Sequence, residues 1–202
     1  MVSQADALPG RLESLNIDST HAIFANDFTA EVASDQREVL LGLGCFWGAE
    51  RVFWQVPGVV TTAVGYAAGY TKNPTYEEVC TSNTGHSEVV RVVYNPSEVT
   101  LEALLKTFFE KHDPTQFMRQ GNDIGTQYRS GIYVSSDADF DVANKVLATY
   151  NEQLVAAGMA KATTEILKDV DFYYAETYHQ QYLHKNPQGY CGIGGTGVSC
   201  PI

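Results

Sequence analysis

Cysteine is the residue type in this chain whose surroundings most clearly suggest chemistry. Four are present, Cys45, Cys80, Cys191 and Cys200. Cys45 stands in Gly44-Cys45-Phe46-Trp47-Gly48, bracketed by glycines and followed by two aromatics. The apolar run before it reads as a buried strand, and Ala49 to Trp54 after it as a helix. A thiol at such a turn faces unpaired N–H groups and the positive end of the helix dipole, which favour thiolate. Glycines there permit tight backbone conformations and the close approach of a ligand. The pattern is that of a nucleophile, and a small buried hydrophobe is the competing reading.

Cys191 and Cys200 lie in the glycine-rich run Gly189-Tyr190-Cys191-Gly192-Ile193-Gly194-Gly195-Thr196-Gly197-Val198-Ser199-Cys200. A flexible loop of about ten residues closes within tens of nanoseconds, so such a tail can shuttle thiols between partners. Cys80 follows Val79 with neither glycine nor cation beside it and is expected to be buried filler. Acids and bases are fewer. Glu88 sits in the apolar run Ser87-Glu88-Val89-Val90, sharing a strand face with His86 and Val90. On an inner face its pKa would rise and keep it protonated, as a general acid requires; on an edge it would be an ordinary carboxylate. Tyr76 and Tyr128 stand in loop-rich surroundings as possible hydrogen-bond donors. His86, His179 and His184 are candidate bases that no pattern separates.

These residues need elements to hold them. Strands are expected at 38–44, 59–66, 86–94 and 129–134, with a last short one near 166–167. Helices are expected at about 46–55, 75–80 and from Thr100, where Leu101, Leu104, Leu105, Phe108 and Phe109 trace one apolar face. Ser136 caps a long helix with Phe140, Ala143, Val146, Leu147, Tyr150 and Leu154 on one side, and a short helix is expected around 176–182. Residues 113–128 read as a polar loop. The pattern is α+β: a two-layer sandwich of helices on a mixed or antiparallel sheet, with a ferredoxin-like core and a long irregular glycine-rich C-terminal tail. It divides into an N-terminal extension (1–36), a catalytic domain (37–185) and a tail (186–202) packed on that domain.

Composition sets outer limits. At 202 residues the chain suits one domain with extensions. A net charge of -11 argues against nucleic acid or an anionic membrane as partner. No apolar run approaches the roughly 20 residues of a spanning helix. Met1 to Gly10 lacks the features of a secretory signal, so a cytoplasmic protein is expected. In a reducing cytosol the cysteines point to redox catalysis or metal binding rather than a fixed disulfide framework. Without a C-x-x-C pair or a close His/Cys cluster, no metal is expected.

Several separated blocks resemble one family. Gly44-Cys45-Phe46-Trp47-Gly48-Ala49-Glu50, Gly85-His86-Ser87-Glu88, Gly121-Asn122-Asp123 with Gly125-Thr126-Gln127-Tyr128-Arg129-Ser130, and His179-Gln180-Gln181-Tyr182-Leu183 are similar, in this order, to the type A peptide methionine sulfoxide reductases. These enzymes act on the S epimer of the sulfoxide. The resemblance runs from about residue 38 to the end and touches Ala5 to Arg11. It implies attack by Cys45 on the sulfoxide sulfur, with Glu88 as proton donor and Tyr76 and Tyr128 as hydrogen-bond donors. Phe46 and Trp47 would enclose the S-methyl group, with Asp123, His179 and Tyr190 on the rim. Cys191 and then Cys200 would carry the oxidation outward as disulfides. It further implies oxidised proteins and free methionine sulfoxide as substrates, thioredoxin as reductant, no cofactor, and a monomer. A cysteine peroxidase, a cysteine hydrolase with a histidine base, and a redox-sensing binding module are the competing classes.

Overall fold

The computed structural model describes residues 1–202. Six of its strands form one mixed sheet: β1 (Arg37–Leu43), β2 (Val59–Ala67), β3 (Ser87–Tyr94), β6 (Ser130–Val134), β7 (Glu165–Lys168) and β8 (Phe172–Tyr174). Their order is β7-β6-β1-β3-β2-β8. All neighbours are antiparallel except β6 and β7, which run parallel. Strand β3 lies between β1 and β2, and every one of its residues is buried. Such double-sided burial explains its nearly continuous Val content. The register places Tyr66 of β2 opposite Glu88 of β3.

The helices are few: α1 (Phe46–Phe53), α2 (Tyr76–Cys80), α3 (Leu101–Lys111), α4 (Asp137–Ala156) and α5 (Tyr182–Lys185). The apolar face anticipated for α3 is fully buried against Val39, Leu41 and Leu43 of β1 and Val90 and Val92 of β3. Ala143, Val146, Tyr150 and Leu154 of α4 close the same core. Thr100 and Ser136 cap these two helices by accepting from the N–H groups of Ala103 and Asp139, at 3.2 and 3.1 Å. Each such cap is worth about 1 kcal/mol.

Three local expectations need correction. The polar stretch 113–128 contains a two-stranded hairpin, β4 (Arg119–Gln120) with β5 (Asp123–Ile124), and a 3-10 turn at Thr126–Tyr128. The short helix expected at 176–182 instead occupies Tyr182–Lys185. Its predecessors are committed elsewhere. The Gln180 amide bonds the backbone N–H and C=O of Val64 at 2.9 Å each, and Gln181 has φ 47, which a helix cannot accommodate. Strand β8 was not anticipated at all. Residues 1–36 form no helix and only isolated bridges, Gly10 to Lys72 and Thr20 to Asp27. Phe28 nevertheless is wholly buried, and Phe24 packs on the main core. From Asn186 onward there is neither helix nor strand.

Candidate active site

Cys45 is the residue that caps α1, entered from β1 through Gly44. Gly44 has φ +96, and a Cβ there would meet the Gln120 side chain at 2.6 Å, so both conformation and space demand glycine. The backbone N–H groups of Trp47 and Gly48, the helix-end donors expected from sequence, pull the Cys45 pKa down, although none closes a cap hydrogen bond on the sulfur. They do not win. The thiol is buried, and burial first, then the Glu88 carboxyl, push its pKa well above the ordinary thiol range. The resting group is therefore a thiol: burial outweighs the helix-end pull towards thiolate that the sequence shows.

Glu88 points into the same turn. The Phe46 N–H donates to its Oε2 at 3.0 Å, so the residue after Cys45 holds the carboxyl group. Only 2 % of Glu88 is exposed, and burial lifts its pKa to about 8, against the pull of that N–H and with a further push from Asp123. At neutral pH it is mainly the neutral acid, and the Cys45 thiol faces a proton donor rather than an anion.

Tyr128, at the end of the 3-10 turn, is held protonated first by burial and then by the acidic groups Glu88, Cys80, Asp123 and Cys45 around it. Tyr76 opens α2, where its N–H donates to Glu176 Oε1 at 2.8 Å and its ring lies 4.5 Å from that of His179. Burial, followed by Cys80 and Glu88, likewise raises its pKa. Asp123, on the β4–β5 hairpin, accepts from the Tyr190 hydroxyl at 3.2 Å. The first part of the tail thus lies beside the nucleophile. Gly48 shows how tightly: a Cβ there would sit 2.9 Å from Cys191 Sγ and 2.8 Å from the Ile193 side chain.

The aromatic wall is continuous. Phe46 is 5.1 Å from the His179 ring and 5.8 Å from Tyr66. Trp47 Nε1 donates to His179 Nδ1 at 3.0 Å, while its indole stacks on Tyr182 at 3.9 Å and 15°. Burial drops the His179 pKa to about 4, so it is neutral and serves as a hydrogen-bonded wall. The other candidate base in a motif, His86, is engaged with Gly69 N–H and Thr71 C=O.

Of the remaining cysteines, Cys200 falls outside this cluster and Cys80 stands at its edge. Cys200 is wholly buried in the main core against α3, its N–H bonded to Glu110 Oε1 at 2.9 Å and its carbonyl accepting from Lys106 Nζ. Cys80 is exposed, not buried filler; the last residue of α2 points outward beside the Tyr76 hydroxyl. All four thiols are free. Sequence reasoning gave no role to Glu50, Glu176 or Tyr182. The last two lie in or next to the 179–183 block, whereas Glu50 was hidden because a carboxylate on an amphipathic helix is ordinarily read as solvent-facing.

A buried cysteine at a helix start, a neutral carboxylic acid and an aromatic wall define a cysteine-based enzyme. Comparison with known proteins narrows this class. The family described as peptide methionine sulfoxide reductase matches residues 37–197. The chain is 57% identical to peptide methionine sulfoxide reductase MsrA 1 of Synechocystis sp., over 100% of its own length and 91% of the relative's. Among solved structures it is similar to methionine sulfoxide reductase A of Corynebacterium diphtheriae, with 45% identity, a TM-score of 0.89 and coverage of 100% and 98%. A more distant likeness is to Mxr1 of Saccharomyces cerevisiae in complex with Trx2, at 27% identity and TM-score 0.55, covering 83% and 94%. The chain belongs to the peptide methionine sulfoxide reductase family. It is a thiol-dependent oxidoreductase that reduces methionine sulfoxide.

Proposed function

We propose that this enzyme acts on the S epimer of methionine sulfoxide, in proteins and free, through a relay of Cys45, Cys191 and Cys200. The observation that carries the reading is the shared turn of nucleophile and acid, in which the Phe46 N–H adjoining Cys45 holds Glu88 at 3.0 Å. Substrate sulfur approaches Cys45 with its methyl group against Phe46 and Trp47 and its oxygen towards Glu88. Cys45 attacks sulfur, the sulfoxide oxygen takes the Glu88 proton, the Cys45 thiol proton replaces it on Glu88, and Tyr76 and Tyr128 donate hydrogen bonds to the developing charge. Oxygen then passes from the substrate sulfur to the Cys45 sulfur as the bond between the two sulfurs breaks, so that methionine departs and Cys45 is left as a sulfenic acid. Asp123 and Tyr190 line the rim, while His179, expected there too, is buried in the wall behind Trp47.

Cys191 then condenses with the sulfenic acid, releasing water and forming the Cys45–Cys191 disulfide. Attack by the Cys200 thiol on the Cys191 sulfur frees Cys45 and leaves a Cys191–Cys200 disulfide, which a thioredoxin-type dithiol reduces. The place of Cys191 over Gly48 supports the first exchange. The second requires the last residues to leave their bonds to α3, because Cys200 is buried there. The complex of the yeast relative with Trx2 supports the reductant. The engagement of both His86 and His179 with neighbouring groups weighs against a hydrolase, which needs a free histidine base. The central strand order β6-β1-β3-β2, antiparallel throughout, supports a ferredoxin-like core as the scaffold. We place the enzyme in the cytoplasm, acting as a monomer without cofactor.

The test is a single turnover on separated epimers. The S epimer should consume two thiols per methionine formed, and the R epimer none. Equal rates on both epimers, or methionine formation without thiol loss, would refute the scheme.

A further inference from the structure

A second carboxylate, Glu50, lies wholly buried on α1, five residues after the nucleophile, and the reaction scheme does not use it. Its Oε2 accepts the Gln181 backbone N–H at 2.7 Å. Its Oε1 accepts the Gln181 side-chain amide at 2.8 Å and the Thr62 hydroxyl at 3.0 Å. The direction of this network is fixed from outside. His21 Nδ1 accepts the N–H groups of Ile23 and Phe24, both at 3.1 Å. A neutral imidazole has one donor and one acceptor nitrogen, so Nε2 carries the proton and donates it to Thr62 Oγ1, 3.0 Å away. The Thr62 proton is then turned towards Glu50. Three donors converge on one carboxylate, and no side chain near it asks it to donate.

The beneficiary is Gln181. It is a non-glycine residue in the left-handed region, φ 47 and ψ 41, a conformation that persists only when its surroundings over-determine it. Glu50 grips it at backbone and side chain, and its own Oε1 accepts Ala22 N–H at 3.2 Å. On one side of Gln181 stands Tyr182, stacked on Trp47; two residues back stands His179, which accepts from the Trp47 indole. Both partners of Trp47 therefore hang from the residue that Glu50 holds.

We propose that Glu50 is a positioning residue of the substrate pocket: through Gln181 it seats His179 and Tyr182 against Trp47, with the His21–Thr62 pair fixing the polarity of the hold. The proposal rests on the reading of Trp47 as a wall of the methyl pocket. Burial raises the Glu50 pKa to about 7, and the bonds from Gln181 and Thr62 oppose that rise, as expected of a carboxylate held by donors. A substitution that only weakened the fold would lower the melting temperature without changing how the pocket measures its substrate.

The experiment uses the full chain in a Trp54→Phe background, which leaves Trp47 as the sole tryptophan. Glu50→Gln preserves shape but offers an amide where three donors need an acceptor. Turnover with dithiothreitol is compared for methionine sulfoxide and its S-ethyl homologue, ethionine sulfoxide. The expected result is a KM for methionine sulfoxide raised about tenfold, with the saturating single-turnover rate held within about threefold. The preference for methyl over ethyl should shrink, and Trp47 emission should shift. Glu50→Gln combined with Gln181→Glu restores a donor–acceptor pair between the two side chains and should recover part of both changes. If Glu50→Gln does not fold, Gln181→Met removes the amide donor and is read the same way. Unchanged Trp47 emission in a folded variant would overturn the proposal. Shifted emission with unchanged KM and unchanged methyl preference would overturn the pocket reading of Trp47, and with it the functional half of the proposal.

Discussion

Cys45 and Glu88 share one buried turn, and their chemistry is set by how that turn distributes protons. Because the Glu88 pKa lies near 8, the acid form that the proposed scheme needs for oxygen departure is lost as pH rises through that value. The single-turnover rate of the wild type should fall above about pH 8, whereas Glu88→Gln should be slow at every pH, by about 10² or more. Rapid-quench measurement of sulfenate formation checks this, and a Gln variant that keeps the wild-type rate would remove Glu88 from the mechanism. The same shift has a sign for stability. A carboxyl that titrates near 4.5 when unfolded and near 8 when folded stabilises the native state most below 4.5, and that contribution disappears as pH rises through 8. The melting temperature of Glu88→Gln relative to wild type should therefore be higher at pH 9 than at pH 5. At this scale sequence was a partial guide. Both residues stand in recognisable blocks, but which of two opposing effects governs Cys45 was not legible, because the visible helix end competes with burial that no local pattern encodes.

Elements carry these residues to one place, and the tightest fit is between α1 and the tail. Adding a methyl group at Gly48 would push against Cys191 Sγ and Ile193. Gly48→Ala should leave sulfenate formation within about twofold and slow closure of the Cys45–Cys191 disulfide about tenfold or more, since small misplacements are costly in such steps. Dimedone trapping of the longer-lived sulfenic acid reads this directly. Gly44→Ala is a different case, with a positive φ as well as the Gln120 contact, and should cost at least about 1 kcal/mol of stability, visible as a lowered melting temperature. The major strands and α3 were legible because their apolar periods are long and uninterrupted. The β4–β5 hairpin was not, since two-residue strands have no period to read. Nor was the place of α5, which follows from the long-range bonds of Gln180 and Gln181 to β2 and α1.

Across the whole molecule the thiols fall into two classes of accessibility. Cys80 is exposed and Cys191 half-buried, while Cys45 and Cys200 are buried. An aromatic disulfide reagent should therefore consume two thiols quickly and two slowly in the native reduced enzyme, and all four together after denaturation. Four fast thiols in the native protein would contradict the burial of Cys45 and Cys200. The packing of residues 1–36 has a further consequence. The Leu8 N–H bonds Asn83 C=O, the Arg11 N–H bonds Lys72 C=O, and the Arg11 guanidinium grips Glu78, itself part of the cap of α2. On the ribosome these groups emerge well before their partners, which are made more than sixty residues later. The segment must remain unpaired until β2 and α2 have left the exit tunnel. Its docking is thus a late event in co-translational folding, and a nascent chain stalled before Glu78 would present residues 1–36 to proteases and chaperones alike.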